Sequence, residues 1–473
     1  VDWSEPIYVG GPIPSATQFA GGYDATEDKG KRRAIAPNHR SEDAVLTPQK
    51  RSVLLANARD LCRNFVLTMW MIRRHLDYVA TFQFHARTPD SKANTAIEKF
   101  MTRWFKPMNC DASGRHFFSR LVRLLEARTV IDGDIGILKV KGGYLQLIES
   151  DRIRNPMDGI DESWIHGVKT VNPGRAVAYC LHKRVGNGWE QERIVSATDI
   201  IQHSYYERYD QTRGISPIVS GLNQMRDVYE GFEYGLAKQK VQQLFAMAVY
   251  RNATEGMGNS DDATDGGEEA QSVLGRYKVN FGNGPVFLDM EPGDRAEFLK
   301  GTGDGGDLVE FLTAIMQLAM KMLDIPYSFY DESHTNFFGS KAAWMHYERT
   351  SNSKREALAN ILDRITIWRL FLAITNKEIP DLPKSLSVAD LDWEWVPTGM
   401  PWWDPAKEIN GNLMAIAAGL DTPQRICKEN GKGDFEDNID QIAKAVEYAK
   451  SKGVELSFAP QPMPAEITVN NGK

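Results

Sequence analysis

Residues 217–250 read PIVSGLNQMRDVYEGFEYGLAKQKVQQLFAMAVY, and they set the terms for the rest of the chain. Pro217 suits a first helical position, where a missing N–H costs nothing. Leu222, Met225, Tyr229, Phe232 and Leu236 then recur at steps of three and four, with Asp227, Glu230 and Glu233 on the opposite side. That pattern predicts an amphipathic helix of about nine turns. A helix of this length is either a bundle element or a strut crossing between two regions. A second helix is predicted from Asp307 to about Leu323. Leu308, Phe311, Ile315, Leu318 and Met322 form its apolar stripe, Glu310, Gln317 and Lys321 lie opposite, and Pro326 ends it. Between the two lie an acidic, Gly-rich loop at 251–271 and a strand pair from Arg276 to Leu288 that turns at Gly282-Asn283-Gly284. The chain therefore goes out along one helix and comes back along another.

On the N-terminal side, residues 1–45 are polar and aperiodic and read as an arm that orders against a neighbour. Thr47 and Pro48 cap a predicted helix that runs to about His75 on Leu54, Leu55, Ala58, Leu61, Cys62, Phe65 and Met69. Shorter helices are expected at Ala96–Phe105 and Arg115–Arg128. Strands follow. Ile135–Val140 and Tyr144–Ile148 flank Gly142-Gly143 as a hairpin, with further strands at Arg175–Lys183 and Glu192–Val195. On the C-terminal side a long helix is expected from Ser340 to about Ala373. Short helices are expected at Pro405–Ala418, Thr422–Glu429 and Phe435–Lys452, before a Pro-rich tail. The expected class is α+β, mainly helical, without alternating βαβ units.

The chain has 473 residues and a net charge of −7. A domain that grips DNA through phosphates is usually basic, so an ordinary DNA-binding domain is excluded. An acidic balance suits a surface that DNA slides past, and suits most soluble enzymes equally. Cys62, Cys110, Cys180 and Cys427 are far apart and form no C-x-x-C pair. They read as free thiols of a reducing compartment, with no zinc or redox motif. The most apolar run, Phe65–Ile72, is too short to span a bilayer. The chain opens without a signal-peptide pattern or an initiator Met, the expectation being a trimmed chain.

Residues 301–306, GTGDGG, match G-x-G-x-x-G. A dinucleotide site needs a buried strand before that loop, and Asp294, Arg295, Glu297 and Lys300 make a poor one. A hinge before a helix is the expectation. No phosphate loop, H-E-x-x-H or G-x-S-x-G occurs, and the nine histidines are scattered. Asp132-Gly133-Asp134 lacks the Glu of a calcium loop and reads as a helix-to-strand turn. Trp393, Trp395, Trp402 and Trp403 have acidic and proline neighbours, so core packing is expected rather than stacking on single-stranded nucleic acid. No catalytic residue, metal ligand or cofactor site is expected.

Several short motifs recur in a fixed order. Gln211-Thr212-Arg213-Gly214-Ile215-Ser216-Pro217 follows Asp199-Ile200-Ile201-Gln202-His203. Asp324-Ile325-Pro326-Tyr327 precedes Asn336-Phe337-Phe338-Gly339-Ser340. Trp403-Asp404-Pro405-Ala406-Lys407-Glu408 precedes Gly419-Leu420-Asp421-Thr422. Upstream stand Glu149-Ser150-Asp151-Arg152-Ile153, His166-Gly167-Val168, and Gly174-Arg175 with Ala178-Tyr179. In this order the chain resembles the lambda-type portal family of tailed phages. That family has glycine or aspartate, valine, proline, tyrosine where this chain has residues 324–327, and tyrosine where it has Phe337. The acidic insert at 251–271 has no counterpart in it.

The resemblance implies a non-enzymatic portal fold. Its parts would be an N-terminal arm (1–45), an α/β wing (46–215), a first stem helix (216–250), a small β-containing clip (251–304) and a second stem helix (305–323). A tunnel loop (324–339), a long wing helix with its return (340–395) and a helical crown with the tail (396–473) would complete it. It further implies a homo-oligomeric ring, typically dodecameric, at the capsid portal vertex of the virion. Such a ring is assembled in the host cytoplasm and passes double-stranded DNA. The implied partners are the terminase large subunit, the major capsid protein and head-tail connector or adaptor proteins, with no membrane. His334, Asn336 and Lys341 would touch DNA from the tunnel loop. Asp227, Glu230, Glu233 and Glu310 would keep the channel weakly repulsive, although they read equally well as an ordinary solvated face. Two other classes stay open. Another ring-shaped head-tail connector would be distinguished by its location in the particle. A nucleotide-binding enzyme using 301–306 would be distinguished by nucleotide-dependent thermal stabilisation.

Overall fold

A computed structural model describes residues 41–157, 163–171, 174–244, 248–251, 294–297, 305–331, 337–383, 390–398, 404–454 and 456. The arm at 1–40, the acidic insert, the strand pair at 276–288 and the tail fall outside these residues.

After a short helix α1 (Glu42–Val45), α2 (Pro48–Asn64) begins as expected, with the Thr47 hydroxyl accepting the Lys50 N–H. The predicted single helix to His75 is two helices. Phe65 is extended (φ −116°, ψ 113°), and α3 (Val66–Val79) starts after it. The break turns the Phe65 ring edge-on to Tyr229, centroids 5.5 Å apart. Then come β1 (Phe82–Ala86), α4 (Ser91–Trp104), α5 (Pro107–Cys110) and α6 (Phe118–Asp132). The Asp132-Gly133-Asp134 turn is where expected: Gly133 ends α6 in the left-handed region, φ 89°.

The sheet unit is antiparallel throughout its named ladders. The hairpin β2 (Asp134–Val140) and β3 (Tyr144–Glu149) pairs on its other edge with β8 (Ile200–Ser204). A second sheet runs β4 (Trp164–Ile165), β5 (Val168–Val171), β6 (Arg175–Val185) and β7 (Gly188–Ser196). A small core of Leu138, Ile148, Ile153, Tyr179, Leu181 and Ile200 fills the space between the two sheets. The main core lies on the helical side and joins α2, α3, α4 and α6 to the long helices that follow.

Those helices are α7 (Leu222–Leu244), entered through a 3-10 turn at Pro217–Gly221, and α8 (Gly305–Met320), left through one at Lys321–Leu323. The expectation of helix to Tyr250 fails at its end. Residues 248–251 form β9, paired antiparallel with β10 (Asp294–Glu297). The apolar run Ala248-Val249-Tyr250 suits either state, and the cross-strand partner decides it. This two-stranded ladder is not the buried parallel strand that a dinucleotide loop at 301–306 requires.

The helix α9 (Phe337–Thr375) is 39 residues long, roughly 58 Å, and starts earlier than the expected Ser340. β11 (Trp393–Pro397) returns to pair with β1. Trp395 is buried there, stacked on Phe118 and edge-on to Phe84, so core packing holds for it. Trp393 is half-buried and donates to Asp363 (3.0 Å). Trp402 and Trp403 lie outside the described residues. The chain closes with α10 (Pro405–Ala417), α11 (Pro423–Glu429) and α12 (Phe435–Ser451). All four cysteines are free thiols, and burial pushes Cys62 and Cys110 up to about 12.

Candidate functional site: a helical hairpin pinned to the sheet unit

The lead into α7 is locked by a buried ionic hub. Asp134, the first residue of β2, is fully buried. Arg213 grips it with two bonds, Nε–Oδ2 at 2.6 Å and Nη2–Oδ1 at 2.8 Å. Arg51 of α2 adds a third at 3.1 Å, and the Ser150 hydroxyl donates to Oδ1 at 2.6 Å. The remaining Arg213 donors reach the carbonyls of Ser150, Ile153 and His166. Burial opposes ionisation of Asp134, but the two guanidiniums outweigh it and hold the carboxyl well below the usual range. The arginines differ. Burial pulls Arg51, with one bond to the carboxylate, down to about 10, whereas doubly bonded Arg213 stays above its ordinary value. Close backbone contact completes the lock. A Cβ on Gly214 would lie 2.0 Å from the Gly133 carbonyl oxygen. The Ser216 hydroxyl donates to Val130 O (2.6 Å) and accepts the Ile218 N–H, which starts the 3-10 turn.

A second buried carboxylate lies nearby. Glu126 of α6 has Oε1 2.6 Å from His75 Nε2 and Oε2 3.1 Å from His203 Nε2. Burial alone would raise it, yet these two hydrogen bonds hold it below the ordinary range. The group borders a cavity of about 480 Å³ where β8, Pro217, the end of α8 and α9 meet.

The helices α7 and α8 pack antiparallel, glycine against apolar side chain. An ideal Cβ on Gly221 would lie 2.0 Å from Met322 Sδ, and one on Gly231 would lie 2.5 Å from Leu312 Cδ2. Leu222, Met225 and Val228 share the main core with Met316, Ala319 and Met320, and Leu312 is buried against Gly231. This corrects the expected stripe on α8. Phe311 and Leu318 are each 62% exposed and Leu312 and Met316 are buried, while Ile315 and Met322 are partly buried and the Leu308 side chain lies outside the described residues. Among the described side chains of α7, Leu222, Met225 and Val228 are buried, whereas Phe232 is 48% and Leu236 53% exposed.

Beyond α8 the chain turns at Asp324, which is left-handed (φ 60°). Aspartate tolerates that region better than most residues, and glycine does so freely. Lys354 of α9 holds the turn, its Nζ 2.8 Å from Asp324 Oδ2 and 3.2 Å from Leu323 O. Phe329 then packs on Tyr78 and Tyr347, and Tyr330 packs edge-on to Trp70.

Asp227, Glu230, Glu233 and Glu310 are all exposed on the hairpin. Glu233 also accepts from the Tyr229 hydroxyl, which raises that phenol. His334 and Asn336 lie outside the described residues. Lys341 is not in the loop: it lies in the second turn of α9, 3.9 Å from Glu408 of α10. The hub itself was missed. Its only trace in sequence is that Arg213-Gly214 and Asp132-Gly133-Asp134 both stood out as motifs without showing that they meet.

The model of the family described as phage portal protein, lambda family, matches residues 29–355, which contain the hub and the hairpin. The chain belongs to this family. As a portal protein it is a structural component of the phage virion and not an enzyme. A probable portal protein of Halomonas phage phiHAP-1 is 23% identical over 405 residues, covering 77% of this chain and 72% of that protein. The portal protein of Escherichia phage N15 is 22% identical over 479 residues, covering 88% of each. Among solved structures, a chain from the neck of an empty gene transfer agent particle aligns with a TM-score of 0.46. It is 13% identical, over 78% of this chain and 92% of that one.

Proposed function

We propose that this portal protein assembles into a closed ring, dodecameric as the sequence resemblance implies, at one capsid vertex. Double-stranded DNA passes through that ring during packaging and ejection. The α7–α8 hairpin is the stem, the β9–β10 ladder begins the clip, residues 324–336 form the tunnel loop and α10–α12 belong to the crown. The carrying observation is the hairpin's uncovered apolar surface. Phe232, Leu236, Phe311 and Leu318 are all about half exposed or more in the single chain. An apolar surface of this kind, bordered by the exposed acids Asp227, Glu230 and Glu310, calls for neighbours on its flanks.

A duplex carries one charge per about 1.7 Å, so a basic lining would hold it at many phosphates. The acids keep the bore weakly repulsive, and the tunnel loop, with His334 and Asn336, makes the transient contacts. Lys341, tied to Glu408, sits at the junction of loop and crown instead. Force comes from a terminase large subunit docked on the clip, later replaced by head-tail connector proteins, while the wing meets the major capsid protein. Electron microscopy of the purified protein tests the assembly: rings with a central hole are expected, and a monomer at every concentration would overturn it. The acidic bore is tested by Glu230→Lys with Glu233→Lys. A slower and more salt-sensitive packaging rate is expected, and an unchanged rate rejects that role.

A further inference from the structure

We infer that His85, Glu98 and Asp437 form a divalent-cation site, of the chemistry that suits Zn²⁺, joining the crown helix α12 to the wing. Three separate elements bring the ligands together. β1 carries His85 directly opposite Glu394 of β11. Glu98 lies on α4, its Oε1 accepting the Ala86 N–H at 3.0 Å. Asp437 lies in the first turn of α12. His85 Nδ1 is 3.7 Å from Asp437 Oδ2 and 4.0 Å from Glu98 Oε1, and the three donor atoms all lie within 4.8 Å of one another.

These separations exceed hydrogen-bond range. Metal–nitrogen and metal–oxygen bonds of about 2.1 Å at tetrahedral angles put ligand atoms about 3.4 Å apart. The two separations from the imidazole therefore close by about 0.3 and 0.6 Å around an ion, and the carboxylate–carboxylate separation by about 1.4 Å at most. One imidazole and two carboxylates, with a fourth position for water, suit Zn²⁺ or Co²⁺. Ca²⁺ and Mg²⁺ call for more oxygen ligands. The imidazole side chain is 13% exposed, and its other nitrogen, Nε2, is buried with no hydrogen-bond partner.

The position gives the ion a task. α10 and α11 contain no buried residue, and α12 contains one, Ala449. The polar contacts with the wing here are Arg87 with Asp434, the cap of α12, and Lys428 of α11 with Glu394. A bound cation adds a coordinate link across a seam otherwise held by partly buried ion pairs. The sequence expectation of no metal ligand is revised here, because ligands at 85, 98 and 437 share no spacing motif.

The test uses the full chain after chelation, titrated with Zn²⁺ by calorimetry and with Co²⁺ by visible absorption. One ion per chain is expected, with the absorption intensity of tetrahedral Co²⁺ and displacement by Zn²⁺. Asp437→Asn is half-exposed and should fold normally; it and Glu98→Gln should each weaken binding roughly tenfold or more. His116→Gln serves as the control and should leave binding unchanged. Zn²⁺ should also slow hydrogen exchange in α12 of the wild type but not of Asp437→Asn. Absence of stoichiometric binding, or equal binding by wild type and Asp437→Asn, overturns the site.

Discussion

Arg213 shows how one side chain can hold a junction. Its guanidinium spends its donors on Asp134, Ser150, Ile153 and His166, all buried. Truncation to Arg213→Ala leaves Asp134 ionised and under-compensated, so a loss of about 3–5 kcal/mol is expected in denaturant unfolding. Arg213→Lys should recover little, because a point charge cannot reproduce the two-pronged grip. The pH dependence follows from the same group. Asp134 and Glu126 both titrate below their ordinary values of 3.8 and 4.5. Their stabilisation is therefore complete above those values and is lost as the pH falls through the depressed folded ones. Unfolding followed from about pH 6 downward should show stability level to about pH 5 and falling below it, less so in Asp134→Asn. The Asp132-Gly133-Asp134 turn was legible from local chemistry. Its partner lies 79 residues away, and no local pattern encodes a contact at that distance.

Among the elements, the helices were legible because three-four periodicity survives over many turns. The face of α8 was not. Val309, Phe311, Leu312, Ile315, Met316 and Leu318 make that helix apolar nearly all round, so periodicity cannot choose the buried side. The choice rests with α7, where Gly231 leaves room for Leu312. Gly231→Val should cost about 1–3 kcal/mol, and pairing it with Leu312→Ala should recover part of that loss in a double-mutant cycle. A purely additive result would remove the glycine contact from the account. The metal ligands were invisible for a different reason: β1–β11 pairing and the fold-back of α12 bring them together, and both depend on tertiary structure.

At the level of the molecule, the exposed apolar flank of the hairpin separates folding from assembly. Phe311→Ser with Leu318→Ser removes surface that the single chain does not bury. Monomer stability should change by no more than about 0.5 kcal/mol per site, while sedimentation should shift from ring to monomer. Equal assembly of variant and wild type would assign that flank to solvent. The α9 helix carries a further consequence. From Trp344, which packs against the core, onward it is anchored, whereas residues 339–343 contribute no buried side chain, and Lys341 near its tip touches Glu408. A continuous helix cannot absorb a sideways push within one turn. The first turns therefore act as a tiller. Swinging them by about 10° would shift the start of the helix by roughly 2 Å. A movement of α10 would thereby reach the first turns of α9 through Lys341 while the sheets stay in place.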